Sequence, residues 1–249
     1  MKVSPPDRPR LRWTNAQTVL DRFALVTYAV EPARLTRALP YGFVAEERAG
    51  TALISAVPFL DRDFRFRALP FAKVSCGQVN YRAYVTHGEQ RGVYFFGTSL
   101  DSVWVHLPRV VWRMPWHRDR MQVDATWSDD DGRCTSYRLE AEGTWGTARL
   151  RAHGTGRRLP DPACFVDPVD CRAVLLDPFT GWYGRRNGRG LGRYSVWHEP
   201  LDLEEVVVDE ARFQVFDDLD LVDHDQAPLA AGVQRSVAFD VHTPPVRER

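Results

Sequence analysis

The sequence predicts a mainly β protein with a few short helices, closed into an antiparallel β-barrel. Three observations lead there. About ten segments are rich in β-branched and aromatic residues and end at turn formers, only two or three short helical patterns interrupt them, and strand and helix do not alternate as a parallel sheet requires. An open sheet of that many strands would leave two edges free to pair with another chain, and closure removes both.

Taken in order, Val19–Val30 and Thr51–Phe59 read as strands. Between them, Glu31–Leu39 carries Leu35, Ala38 and Leu39 at helical spacing, with Pro32 where a first turn tolerates proline and Pro40 as a stop. Lys73–Thr86 and Arg91–Leu100 form a hairpin around Gly88-Glu89-Gln90-Arg91-Gly92. A helix is expected from Asp101, as N-cap, to Met114, with Val103, Leu107, Val110 and Val111 on one side and Pro108 as a kink. Gln122–Trp127, Cys134–Glu142 and Thr147–His153 follow as a meander joined by Asp-Asp-Asp-Gly and Gly-Thr-Trp-Gly turns. Leu175–Tyr183 reads as a second short helix despite Pro178, and Asn187-Gly188 turns the chain into Gly192–His198. Glu205–Phe216 and Val233–His242 complete the strands. With no repeat, low-complexity tract or linker, the chain is expected to be one domain over 1–249, residues 1–10 forming a flexible arm.

The segment Cys76–Tyr84 carries the strongest functional signal. Alternate side chains of a strand point to opposite faces, so Gln78, Asn80, Arg82 and Tyr84 share one face while Val79, Tyr81, Ala83 and Val85 share the other. A polar row of this kind ordinarily faces water. Here the hairpin partner Val93-Tyr94-Phe95-Phe96 is apolar on both faces, as a strand deep in a fold is, and the row becomes a candidate lining for an enclosed pocket.

Composition narrows the partners. Lys and Arg total 33 and so do Asp and Glu, so no net field attracts nucleic acid or an anionic membrane, and a small molecule is the expected partner. A homo-oligomer is compatible with the sequence. Lys2 and Lys73 are the only lysines. Cys76, Cys134, Cys164 and Cys171 form no CxxC pair and the seven histidines show no HxH or HExxH, so neither a metal nor a cofactor is expected. The first twelve residues have no apolar core of a secretory signal and no run of eighteen apolar residues occurs, which reads as a cytoplasmic protein with reduced thiols. Nucleophile elbows and Gly-rich phosphate loops are missing. His117, after Pro115-Trp116, and His198, at a strand end before Glu199-Pro200, sit where site residues tend to lie. The arginines of Tyr183–Tyr194 read as an exposed hairpin tip rather than an RNA contact, and Asp217, Asp218, Asp220, Asp223 and Asp225 as a solvated loop.

Several pieces in order resemble the YqjF-like family, a domain of unknown function related in fold to acetoacetate decarboxylase. They are Val30-Glu31-Pro32 with Leu35 and Leu39-Pro40, Gly50 with Val57-Pro58-Phe59, Asn80-x-Arg82-x-Tyr84-Val85, Gly92 to Phe96, Arg109 with Met114-Pro115-Trp116, and His198 near Pro200. They span about Leu11 to His242. The resemblance implies a closed, mainly antiparallel barrel with a central small-molecule cavity, and it adds Arg109 and Trp116 to the candidate ligand-binding residues Gln78, Asn80, Arg82, Tyr84, His117 and His198. It also exposes two departures. Trp116 stands where a decarboxylase would carry its Schiff-base lysine, and an indole cannot condense with a keto acid; Gln78 stands where the family usually has glutamate.

Two function classes follow. In the first, the pocket binds a carboxylate- or carbonyl-bearing ligand held by Arg82 against Trp116. In the second, a lyase, dehydratase or tautomerase acts on an oxo acid without a Schiff base, with His117 or His198 as general base and Arg82 stabilising an enolate. A solid barrel without a cavity would instead mark a structural interaction protein.

Overall fold

The computed structural model describes residues 7–103 and 106–248. The chain is mainly β, with strands β1 (Ala16–Val30), β2 (Phe43–Ala45), β3 (Glu47–Arg48), β4 (Thr51–Phe66), β5 (Val74–His87), β6 (Gln90–Leu100), β7 (Trp116–Trp127), β8 (Cys134–Gly143), β9 (Gly146–Arg158), β10 (Thr180–Gly184), β11 (Leu191–His198), β12 (Glu204–Phe213) and β13 (Ala230–Glu248). Helices α1 (Pro32–Ala38), α2 (His106–Val111), α3 (Pro168–Cys171) and α4 (Gln214–Asp218) are short, and a π-helical turn covers Arg172–Leu176. None of the described helices is long and apolar enough to cross a membrane.

The strands form one sheet whose hydrogen-bonding path runs β11-β10-β6-β7-β8-β9-β12-β13-β1-β4-β5-β2. Two further pairings, β5 with β6 and β11 with β13, bring that path back onto itself. Two circuits result, sharing β13, β1, β4, β5 and β6 as a common wall. One continues through β7, β8, β9 and β12, the other through β10 and β11. Pairing is antiparallel except where β6 meets β7 and β10.

The common wall is buried on both faces. Ile54 and Ala56 of β4 and Val79, Tyr81, Ala83 and Val85 of β5 enter the larger core, with Tyr28, Tyr137, Leu139 and Phe216. The alternate residues Val57 and Phe59 pack with Leu20, Phe23 and Val237 on the opposite side, where Tyr84, Val93 and Phe95 form a neighbouring cluster with Val174 and Leu175. The alternation read in β5 therefore separates two interiors rather than inside from outside.

Several expectations are corrected. The helix expected over 101–114 is confined to His106–Val111, Trp104 and Val105 lie outside the described residues, and Val103, Val110 and Val111 are exposed, because β7 begins at Trp116 and draws the preceding segment across the sheet end. The helix expected over 175–183 lies earlier, in α3 and the π-turn. Thr180–Gly184 is instead a strand, inserted between β6 and β11. Residues 214–216 leave the expected strand for α4. Of the arm expected over 1–10, residues 1–6 lie outside the described part. Arg8 is pinned by a bidentate pair to the buried Asp240 at 2.6 and 2.9 Å, with its guanidinium 4.9 Å from the Trp197 ring. The acidic loop is likewise tied to α1, since Arg34 pairs with Asp220 and Asp223 at 2.7 and 2.9 Å.

Candidate functional site

The smaller circuit holds a cavity of about 140 Å³, and every one of its strands contributes to the wall: Leu20 from β1, Phe59 from β4, Asn80 from β5, Phe95 from β6, Gly181 from β10, Tyr194 from β11 and Phe239 from β13. Trp112, Met114 and Trp116 close it from the link between α2 and β7, and Leu176 and Pro178 from beyond the π-turn. The volume is close to that of a cavity known to hold benzene, about 150 Å³, so it suits a ligand of roughly six heavy atoms.

Five of the expected residues meet here: Gln78, Asn80, Arg82, Trp116 and His198 all line the cavity. The row on β5 is cross-linked, as Gln78 Nε2 donates to Asn80 Oδ1 at 2.9 Å and Thr98 Oγ1 donates to the same oxygen at 2.8 Å. With both lone pairs of Oδ1 occupied, the side chain of Asn80 has its NH₂ group to offer a ligand, and Gln78 its carbonyl.

Arg82 is oriented from behind. Its Nη2 donates to Tyr84 Oη at 3.2 Å and to the Leu175 carbonyl at 3.3 Å. A guanidinium only donates, so Tyr84 accepts and passes its own proton to Ser55 Oγ at 2.8 Å, which lies 2.8 Å from Thr27 Oγ1. This buried chain spans β5, β4 and β1. Among the described residues, the buried Arg82 Nε has no partner and no carboxylate lies within ion-pair distance of the guanidinium. The fold thus holds a cation at the cavity wall with its buried Nε donor uncommitted.

His198 is buried, stacked on Phe239 at 4.5 Å, with Phe179 at 5.2 Å. Its Nδ1 lies 2.8 Å from the Glu199 carbonyl, which can only accept, so the proton sits on Nδ1 and Nε2 carries the lone pair. Burial pushes its pKa down to about 4, against the Glu199 bond and with help from the charges of Arg82 and Arg172. The ring is neutral at pH 7.

Three expected residues stand elsewhere. Tyr84 shares the face of Arg82 but lies beyond the cavity, fully buried in the cluster with Val174 and Leu175 that packs over this end of β5. His117 follows Trp116 on a strand and so points the other way; it stacks on Trp145 at 4.3 Å, and burial with the charges of Arg109 and Arg186 pushes it down to about 4. Arg109 lines a separate surface depression.

Among the cavity residues that the sequence reading missed, Asp61 is the one carboxylate. Asp61, on β4, lines the wall and is hydrogen-bonded by Thr18 of β1; burial raises its pKa to about 6, the Thr18 bond opposing. Thr18 Oγ1 is also 3.0 Å from the Arg62 carbonyl. A hydroxyl has one proton, so Thr18 shares its single donor between the Asp61 carboxyl and the Arg62 carbonyl. Asp61 pairs with Cys76, whereas Arg82 pairs with Ser55, six positions further along β5. That offset is roughly 20 Å of strand and separates the two polar ends of the wall. The available signal was the amphipathic continuation of Thr51–Phe59 past Leu60, which a strand ended at Phe59 cuts off.

The family model of an uncharacterized conserved protein, DUF2071, matches residues 17–236. No curated protein matches the chain in sequence. Among solved structures, the chain is similar to an acetoacetate decarboxylase-like enzyme from Sphingomonas wittichii RW1, with 13% identity, 96% of this chain and 94% of that one covered, and a TM-score of 0.64. It is similar to the enduracididine biosynthesis enzyme MppR complexed with pyruvate, at 12% identity, 97% and 93% coverage and a TM-score of 0.65. It is also similar to acetoacetate decarboxylase from Legionella pneumophila, at 12% identity, 98% and 92% coverage and a TM-score of 0.56. At such identities the likeness is one of fold.

Proposed function

The chain belongs to the DUF2071 family, and from that premise we propose that its smaller circuit is a closed barrel that binds a small carboxylate- or carbonyl-bearing molecule without forming a Schiff base. The observation that carries this reading is the uncommitted Nε of Arg82, buried at the wall of a cavity whose lining is otherwise largely aromatic and aliphatic. A buried donor without a partner costs about 1–3 kcal/mol, and a ligand carboxylate would supply the missing acceptor in a charge-assisted bond. Asn80 and Gln78 would orient the rest of the ligand, and Trp112, Trp116 and Phe95 would pack on its carbon skeleton. That MppR is complexed with pyruvate in its own structure makes short oxo acids the first probes.

Among the described residues, the cavity lining offers no amine for a Schiff base. Trp116 lines the cavity at the position where the decarboxylases carry lysine by resemblance, and Lys73 lies outside the lining, paired with Asp63 at 3.4 Å in the turn before β5. The proton-transfer reading keeps one observation in its favour, a neutral His198 whose pKa is lowered in part by Arg82 and whose Nε2 is free to accept. A base of pKa about 4 has little driving force at pH 7, and Asp61, better matched near 6, lies six strand positions, roughly 20 Å, from the register of Arg82. Binding is therefore the better supported class.

The test is titration of the protein with pyruvate and acetoacetate, followed by NMR, and borohydride reduction of each mixture with mass spectrometry. Saturable binding without a lysine adduct is expected. A stoichiometric adduct on Lys73 with carbon dioxide release, or no binding of any oxo acid at millimolar concentration, overturns the proposal.

A further inference from the structure

Two features that the cavity leaves unused meet on the outer surface. Arg109 of α2 and Arg186 of the turn between β10 and β11 line one depression of about 390 Å³, together with His106, Val110, Arg113 and Asn187. The contributing segments, 106–113 and 185–189, contain Arg109, Arg113, Arg185, Arg186 and Arg189 and not one Asp or Glu. Among the described residues, Arg109, Arg113 and Arg186 have no carboxylate within ion-pair distance, whereas Arg34, Arg48, Arg91 and Arg172 each have one or two. In a chain with as many acids as bases, this is a local segregation of charge.

The backbone holds these cations together. Arg186 N–H donates to the Arg113 carbonyl at 2.9 Å, and Tyr183 O–H, from β10, donates to the Trp112 carbonyl at 3.2 Å, so the turn and the end of α2 are braced at two points. Gly188 N–H donates to the Arg185 carbonyl at 2.8 Å and Arg189 N–H to Asn187 Oδ1 at 3.2 Å, which closes the turn on itself. The arginines consequently cannot relax apart by moving their backbones. Their mutual field is felt locally: Arg186 helps burial push the Arg109 guanidinium down, and both charges bear on His117. The adjoining Arg185 also keeps its Nε buried with no partner. Guanidiniums fixed side by side without an acid repel one another, and an anion carrying more than one charge reverses the sign of that interaction.

We propose that this depression binds a small phosphoryl-bearing anion, held by the forked donors of Arg109 and Arg186 with Arg113 as a third cation and Asn187 and His106 at the rim. Planar guanidinium forks match phosphate oxygens in pairs, and three cations lining one depression favour a phosphoryl group over a singly charged carboxylate. The site is small and the rest of the surface carries both signs, which favours a compact anion over a nucleic-acid strand. The inference is independent of the cavity and of what it binds.

The full chain is titrated with pyrophosphate by calorimetry at low ionic strength, with inorganic phosphate and a single-stranded oligonucleotide as comparators. One pyrophosphate per chain is expected, bound more tightly than phosphate and weakened about tenfold or more by each of R109Q and R186Q. The surface substitution R138Q, which removes one charge elsewhere, should have little effect. Because these side chains make no hydrogen bond or ion pair among the described residues, both variants should fold, and equal melting temperatures without ligand verify it. A second readout is the His117 ring, whose pKa should rise when a bound anion offsets the charges of Arg109 and Arg186. No heat with millimolar pyrophosphate, undiminished affinity in the R109Q/R186Q double variant, or a His117 resonance that ignores saturating ligand overturns the site, and tighter binding of the oligonucleotide overturns the small-anion assignment.

Discussion

Replacing Arg82 with methionine separates a residue kept for a ligand from one kept for stability. In the free protein the substitution removes two long hydrogen bonds, at 3.2 and 3.3 Å, and a contact 5.3 Å above the Tyr84 ring. These amount to about 1–3 kcal/mol for the bonds and about 0.5–1 kcal/mol for the ring contact. Against that, the variant no longer desolvates a cation or buries an orphan Nε, a relief of about 1–3 kcal/mol for the donor alone. Tyr84 keeps its bond to Ser55, and methionine fills much of the vacated stem volume. The opposing amounts nearly cancel, so unfolding in urea should change by less than about 2 kcal/mol in either direction. Pyruvate binding, followed by NMR titration, should weaken by about 1.5–3 kcal/mol, a factor of roughly ten to a hundred. The reasoning fails if R82M loses about 3–5 kcal/mol, the cost of breaking a buried ion pair, while binding pyruvate as the native chain does.

Asp61→Asn should alter the pH dependence of stability. With the folded pKa raised to about 6 from the ordinary carboxylate value of 3.8, the native state holds the proton more tightly, so this group's contribution is fully present below about pH 4 and lost as pH rises to about 6. The stability of D61N relative to the native chain should therefore climb by on the order of 2–3 kcal/mol between those limits and level off above, as urea titrations at each pH would register. A difference independent of pH would show that the carboxyl is solvated. His198 should titrate near pH 4 and carry its proton on Nδ1 above that, which nitrogen-15 shifts of the ring report; a midpoint near 6.5 would contradict its burial. Gly97→Ala should destabilise by about 1–3 kcal/mol, because a Cβ there would lie 2.3 Å from the Trp145 ring and 2.9 Å from the Pro115 carbonyl; an unchanged melting curve would refute the close approach of β6 to Trp145 and Pro115.

The sequence by itself determined the strand alternation, since a period of two needs no knowledge of neighbours. From Gln78, Asn80 and Arg82 alone, one wall of the cavity was legible, and so was its separation from Val79 and Tyr81. Trp116 and His198 were found through local position and resemblance, and they do reach the same space. Tertiary structure decided where the wall ends. Tyr84 obeys the same alternation yet is sealed under Val174 and Leu175, because a π-turn ninety residues away in the chain settles on that end of β5. It also decided that Arg109 and His117 face away, since the direction of α2 and the start of β7 at Trp116 depend on β6 pairing in parallel beside it. Asp61 joined the site only because β4 extends past Phe59 and pairs with β1 and β5 together, burying a carboxyl that composition would place in water. Local periodicity fixes which side chains share a face; which of two interiors that face encloses is set by long-range pairing, and no single stretch of sequence carries that information.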